Sequence, residues 1–156
     1  MDDLKRLVAI EDIKALKARY FRSVDLKDTA LFRSCFTADA TADYRGAATD
    51  PSSGLNAVPD TTERVLEGVA AITEGVMAAV ANLTSVHHGT MPEITILDDS
   101  RATGIWAMVD RLRLKPGGPV SEMVGYGHYH ETYRREAGGW KIASLKLTRI
   151  RVDITS

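Results

Sequence analysis

The chain has 156 residues, 44% of them hydrophobic and 26% charged, which is enough apolar material for one domain with a real core. Twenty basic and 21 acidic side chains leave a net charge of −1, so the basic footprint of a nucleic-acid or anionic-membrane binder is absent.

The chain starts MDDLKRLVAI, without the apolar run of a signal peptide. A helix is predicted over residues 2–25, capped by Asp2 or Asp3. Leu4, Leu7, Val8, Ile13, Leu16, Tyr20 and Val24 recur at helical spacing, and Lys5, Arg6, Glu11, Lys14 and Lys17 fall on the wet side. Asp25, four after Phe21, projects from the edge of the buried face. Asp28 can cap a second helix through Phe36, with Leu31, Phe32, Cys35 and Phe36 inward. Cys35 is the only cysteine, which suits a reducing compartment. Ala40 to Arg45 reads as a strand bearing Tyr44. Gly46 to Pro59 is small and polar, broken by Pro51, Gly54 and Pro59, and reads as a loop able to act as a flap. A helical region is predicted from Thr61 or Thr62 to about Asn82, with Gly68 and Gly75 interrupting it. Strands follow at about 84–97, 102–115, 121–136 and 140–153, separated by Asp-Asp-Ser, Pro-Gly-Gly-Pro and Ala-Gly-Gly turns. No stretch approaches the ~20 apolar residues of a membrane span. The expectation is a soluble, cytoplasmic, single domain over 1–156.

Helices first and a long antiparallel meander last predict an α+β fold. Strands of about 10–15 residues span roughly 35–50 Å if straight, so in so small a domain they must curl. The expected result is a cone: a strongly curved sheet around a helix, with a pocket inside.

Polar residues placed in apolar strands need partners. An Asp near the end of an apolar helix and a His on an apolar strand suggest a dyad of Asp25 and His87. The carboxylate would fix the imidazole tautomer, leaving the other ring nitrogen as a base. The alternative is an N-capping Asp and a satisfied core histidine. Trp106 and Asp110 share one face of their strand. Tyr126 and His128 share one face of theirs, opposite Gly125, Gly127, Tyr129 and Glu131, and strand parity does not say which face lines the pocket. Tyr126, His128 and Trp106 are candidates for substrate contact, Trp106 also for plain packing. His88 points away from His87. His128 and His130 could chelate as i, i+2, but no metal is expected. No phosphate loop, GxSxG or paired-cysteine motif is present.

The run Ile10-Glu-Asp-Ile-Lys-Ala-Leu-Lys-Ala-Arg-Tyr20, then Asp25, Leu31-Phe32 and Phe36-Thr-Ala-Asp-Ala40, resembles the start of a SnoaL-like domain of the nuclear transport factor 2-like superfamily. The likeness continues through His87-His88-Gly89, Asp110, Tyr133-Arg134-Arg135 and Gly139-Trp140-Lys-Ile142, with the 46–60 loop as the main departure. The resemblance implies the cone fold. It is strongest to a dehydratase-type branch that includes bile acid 7α-dehydratase, scytalone dehydratase and hexachlorocyclohexane dehydrochlorinase. Such enzymes eliminate water or HCl from cyclic substrates without a cofactor. By position, the resemblance implies His87 as base, Asp25 as its orienting carboxylate, Tyr20 and Tyr44 as pocket hydroxyls, Asp110 as a pocket acid able to protonate a leaving hydroxyl, and Arg149 (or Arg151) as a pocket arginine. It implies a lyase, most simply a dehydratase, on a hydrophobic cyclic compound such as a steroid or polycyclic aromatic. An isomerase or cyclase with the same proton chemistry, or a non-catalytic binding or assembly domain, are the alternatives. A homodimer or homotrimer is expected.

Overall fold

The computed structural model describes residues 2–58 and 65–156. Helix α1 spans Asp3–Leu26, with Asp2 as N-cap accepting from the Lys5 N–H and Lys27 closing it in the left-handed region. Helix α2 spans Thr29–Ser34, and its N-cap is Asp28, which accepts from the Leu31 N–H at 2.9 Å. The cap being Asp28 matters, because it leaves the Asp25 carboxylate free for other partners.

The strands are β1 (Phe36–Asp43), β2 (Leu66–Glu67), β3 (Leu83–Ile96), β4 (Arg101–Leu114), β5 (Glu122–Glu136) and β6 (Gly139–Thr155), and helix α3 (Val69–Val80) lies between β2 and β3. They form one six-stranded sheet in the order β2-β1-β6-β5-β4-β3. The last four strands are the antiparallel meander expected from the turns. β1 joins parallel to β6, so the sheet is mixed. The fold is α+β, with the helices packed on one face of a curved sheet, the cone expected from the strand lengths.

Several local expectations change: β1 ends at Asp43, one residue before Tyr44, and Leu4, Leu7 and Val8 at the start of α1 are exposed rather than buried. Phe36 begins a strand rather than ending a helix. Leu66–Glu67 is a strand where a helix was expected, because Gly68 at φ 82° turns the chain immediately before α3. The expected start of that helix at Thr61 or Thr62 lies outside the described residues.

The core sits between α1, α2, α3 and the inner face of the sheet. Tyr20, Phe32, Phe36, Ile13, Leu16, Tyr129 and Tyr133 are all at most 2% exposed there. Each such side chain contributes about 1.5–3 kcal/mol of burial. A second, smaller cluster joins Ala57 of the loop to Met123 and Val152 of the sheet. The loop before it is held by buried Asp50, which accepts from Val152 N at 3.0 Å and from Ser53 N at 2.9 Å. Residues 44–58 are therefore fastened to the end of β6. No described helix is long and apolar enough to cross a membrane.

Candidate active site

Three elements meet at His87. The last turn of α1 carries Asp25, β3 carries Ser85 and His87, and β4 carries Asp110, which is the cross-strand neighbour of His87. A carboxylate in the last turn of a helix faces the negative end of the helix dipole. Three donors offset that here. His87 Nδ1 lies 2.6 Å from Asp25 Oδ1, the His87 backbone N–H donates to Oδ2 at 3.0 Å, and the Ser85 hydroxyl donates to Oδ1 at 3.0 Å. Burial raises the Asp25 carboxyl, but the His87 and Ser85 hydrogen bonds together outweigh it and leave it below its ordinary value.

The partner on Nδ1 fixes the ring: Nδ1–H points at Asp25, and Nε2 is left as the lone-pair nitrogen. Nε2 faces Asp110, 3.9 Å from Oδ2. Asp110 is itself held by Arg149, whose Nη1 and Nη2 donate to Oδ1 at 3.0 Å and Oδ2 at 2.7 Å. Arg149 Nε donates to the Ala47 carbonyl at 2.6 Å, tying the 44–58 loop to the same group. The Asp110 and Arg149 side chains are each 4% exposed, against 9% for His87 and 22% for Asp25. Two carboxylates and one guanidinium leave this cluster one negative charge, which an imidazolium would cancel.

Deeper along α1, the Tyr20 and Tyr44 hydroxyls lie 3.0 Å apart. Burial raises both phenols, and that of Tyr129, so all three stay protonated at neutral pH. Phe21 stacks on the His87 ring with centroids 6.2 Å apart and planes at 13°.

The structure therefore brings Asp25, His87, Asp110 and Arg149 together, with Tyr20 and Tyr44 joined on the same side of the sheet. It differs from the sequence reading at several residues. Tyr126 and His128 lie on the outer face, because the buried face of β5 is the one carrying Gly125, Gly127, Tyr129, Glu131 and Tyr133. Tyr126 meets Arg151 there, and His128 lies beside His130. Trp106 faces inward but is 5% exposed, and its indole N–H donates to the Tyr133 hydroxyl at 2.8 Å, so it packs in the core. Asp110 accepts with both oxygens from Arg149, which makes it an acceptor beside the imidazole rather than the expected proton donor. Arg149, not Arg151, is the inward arginine. A break in register between the Tyr126 and Gly127 pairings leaves Ile150 without a partner and turns Arg151 outward.

Lys17, read from the sequence as a wet-face residue, is 1% exposed. Its ammonium pairs with Glu131 and sits 3.6 Å from the Tyr129 ring centroid and 4.1 Å from that of Tyr20. Glu131 also accepts from the Tyr133 hydroxyl at 2.5 Å. Burial lowers the Lys17 ammonium, against the opposing pull of Glu131. Ser85 was missed as well, although its place two residues before His87 on one strand face was a usable signal. No group of three or more possible metal ligands occurs among the described residues.

Comparison with known proteins follows the same lines. Residues 5–146 match the model of the SnoaL-like domain family. Among solved structures, a candidate scytalone dehydratase from Novosphingobium aromaticivorans superposes with a TM-score of 0.75 at 16% identity, covering 97% of this chain and 91% of that one. The hexachlorocyclohexane dehydrochlorinase LinA-type3 from Novosphingobium barchaimii gives a TM-score of 0.74 at 18% identity, covering 99% and 95%. A candidate aromatic ring hydroxylase from Novosphingobium aromaticivorans gives 0.75 at 22%, covering 96% and 94%. The names of these neighbours span different reactions, so their likeness establishes the fold alone. The family match covers most of the chain, and the chain belongs to the SnoaL-like domain family.

Proposed function

We propose that the chain is a cofactor-independent lyase that removes water or a comparable leaving group from a neutral, hydrophobic cyclic substrate. The observation that carries this reading is the His87 ring, held through Nδ1 by Asp25 at 2.6 Å, with Nε2 turned toward a buried, arginine-paired carboxylate. In this mechanism Nε2 takes a proton from a substrate carbon, and the imidazolium that forms lies between Asp25 and Asp110. The electron pair of the broken C–H bond forms the new double bond as the leaving hydroxyl departs. The proton on Nε2 then passes to that hydroxyl, so the products are an alkene and water. The Tyr20–Tyr44 pair supplies neutral donors to a substrate carbonyl on which charge develops. Arg149 has its guanidinium committed to Asp110 and Ala47, which leaves it no role as a clamp for an acidic tail. Dehydratase and dehydrochlorinase neighbours support the reaction class by analogy only.

The test is a panel of cyclic alcohols, steroid alcohols and chlorinated cyclohexanes, assayed by chromatography for loss of water or HCl. Turnover of one of them is expected, and H87A is expected to lower it by about 10²–10⁴-fold while the protein stays folded. Equal turnover by H87A would refute the base assignment.

A further inference from the structure

We infer that Gly125 is a positioning residue of this site: its missing side chain is the space in which the Asp110–Arg149 pair lies. Gly125 sits on the inner face of β5, directly across from Asp110 on β4. A Cβ built there would fall 2.3 Å from Arg149 Nη1, 2.3 Å from Asp110 Oδ1 and 2.5 Å from Arg149 Cζ. All three nearest atoms belong to the two side chains of the pair, and none to the backbone. Gly127, two residues on, is different in kind. Its Cβ would fall 1.9 Å from the Thr148 carbonyl oxygen, so that glycine serves the sheet itself. Gly125 is outside the left-handed region, so alanine there meets no backbone strain, only a lack of room.

That room is not easily found elsewhere. Contacts of 3.0–3.4 Å are already tight for a Cβ, so the pair would have to retreat by about 1 Å. Arg149 cannot simply swing aside, because its Nε is bonded to Ala47 at 2.6 Å and both nitrogens of its fork are bonded to Asp110. Asp110 is one strand away from His87, and its Oδ2 is the group that faces Nε2. A methyl group at 125 therefore reaches the imidazole through the pair, without touching it. A side chain at 125 would occupy the space that the Arg149 guanidinium and the Asp110 carboxylate now fill, which ties this glycine to the charge arrangement rather than to the chain's path.

The inference extends the reading of His87 as the base, but its test needs no substrate, so the two can fail separately. Heteronuclear NMR of the full chain follows the Arg149 guanidinium protons and the His87 ring nitrogens. In G125A, the Arg149 Nε–H is expected to exchange with water roughly tenfold faster and the His87 ring resonances to move, while β5 and β6 backbone amides keep their protection. Introduced into D110A/R149M, where neither contacted group remains, the same substitution is expected to leave the ring resonances and the melting temperature where that double variant has them. A folded G125A with unchanged Arg149 and His87 signals would overturn the inference. So would an equal effect in both backgrounds. Should G125A alone not fold, recovery of folding in G125A/D110A/R149M supports the inference, and failure of both to fold overturns it by making the glycine a need of the sheet.

Discussion

Two ionic clusters bind α1 to the sheet, eight residues or roughly 12 Å apart along the helix axis. In one the helix supplies a cation, Lys17, and β5 the carboxylate of Glu131. In the other the helix supplies a carboxylate, Asp25, and β3 an imidazole. The first is sealed: its side chains are 1% and 0% exposed, and aromatic rings surround the ammonium. The second is partly open at Asp25, which is 22% exposed, and it is tied through Asp110 and Arg149 to a loop. A sealed pair has no route by which to exchange a proton with a ligand, so its consequence is structural. In the reaction proposed above, the partly exposed pair gains and loses a proton. Access is thus what that proposal asks to separate the two clusters, and the contrast can be broken by experiment.

The largest expected effect belongs to the sealed pair. E131Q keeps the shape of the side chain but leaves a buried ammonium without its counter-charge. It is expected to lose about 3–5 kcal/mol of stability in denaturant titrations. K17M/E131L, which removes both charges, is expected to recover most of that loss, because the desolvation of two ions then disappears as well. An E131Q protein as stable as the wild type would mean that water reaches Lys17, and the distinction between the clusters would go.

The open pair is expected to show the reverse balance. D25N preserves volume but replaces the acceptor that holds the His87 tautomer. Turnover is expected to fall by about a hundredfold, through kcat more than KM, with a stability loss well below that of E131Q. A variant that melts early yet turns over normally would move Asp25 into the structural class and leave His87 without its orienting group.

How far this contrast is visible in the sequence differs between the two clusters. Asp25 and His87 stand out because a carboxylate at the edge of an apolar helix face and an imidazole on an apolar strand each need a partner. Asp28 could have confused the first, and the structure separates them by using Asp28 as the cap. Lys17 does not stand out, since Lys5 and Lys14 share its helical side and are exposed. Only Glu131, 114 residues away, makes burial of Lys17 tolerable, and no local pattern reports that pairing. The strands were legible as strands, but their faces were not always so. β6 breaks register twice against β5, near Ala143 and at Ile150, and each extra residue inverts the parity after it. That is why Arg149 and Arg151, two apart and nominally on one face, end on opposite sides. On β5 the parity separates the two faces, but nothing in it says which is inner, and the structure puts the candidates Tyr126 and His128 on the outer one.

The smallest expected effect is the acid response of the open pair, and its sign follows from the Asp25 carboxyl. Burial acts to raise that group, and the hydrogen bonds from His87 and Ser85 together lower it by more, so that the net position is below the ordinary 3.8. The folded chain therefore holds the Asp25 proton less tightly than the unfolded chain does. Its contribution to stability is full above the unfolded value and is lost as pH falls through the lower, folded value. Other carboxylates respond in the same direction, among them Asp43 and Asp98, each lowered to about 2, so a wild-type acid melt alone does not isolate Asp25. The difference between wild type and D25N does. That difference is expected to be constant near neutrality and to narrow below about pH 4, and solvent at the partly exposed carboxylate keeps it small. A gap that widened on acidification would mean that the desolvation cost prevails at Asp25, and the imidazole would then lack a charged partner at the site where proton transfer is proposed.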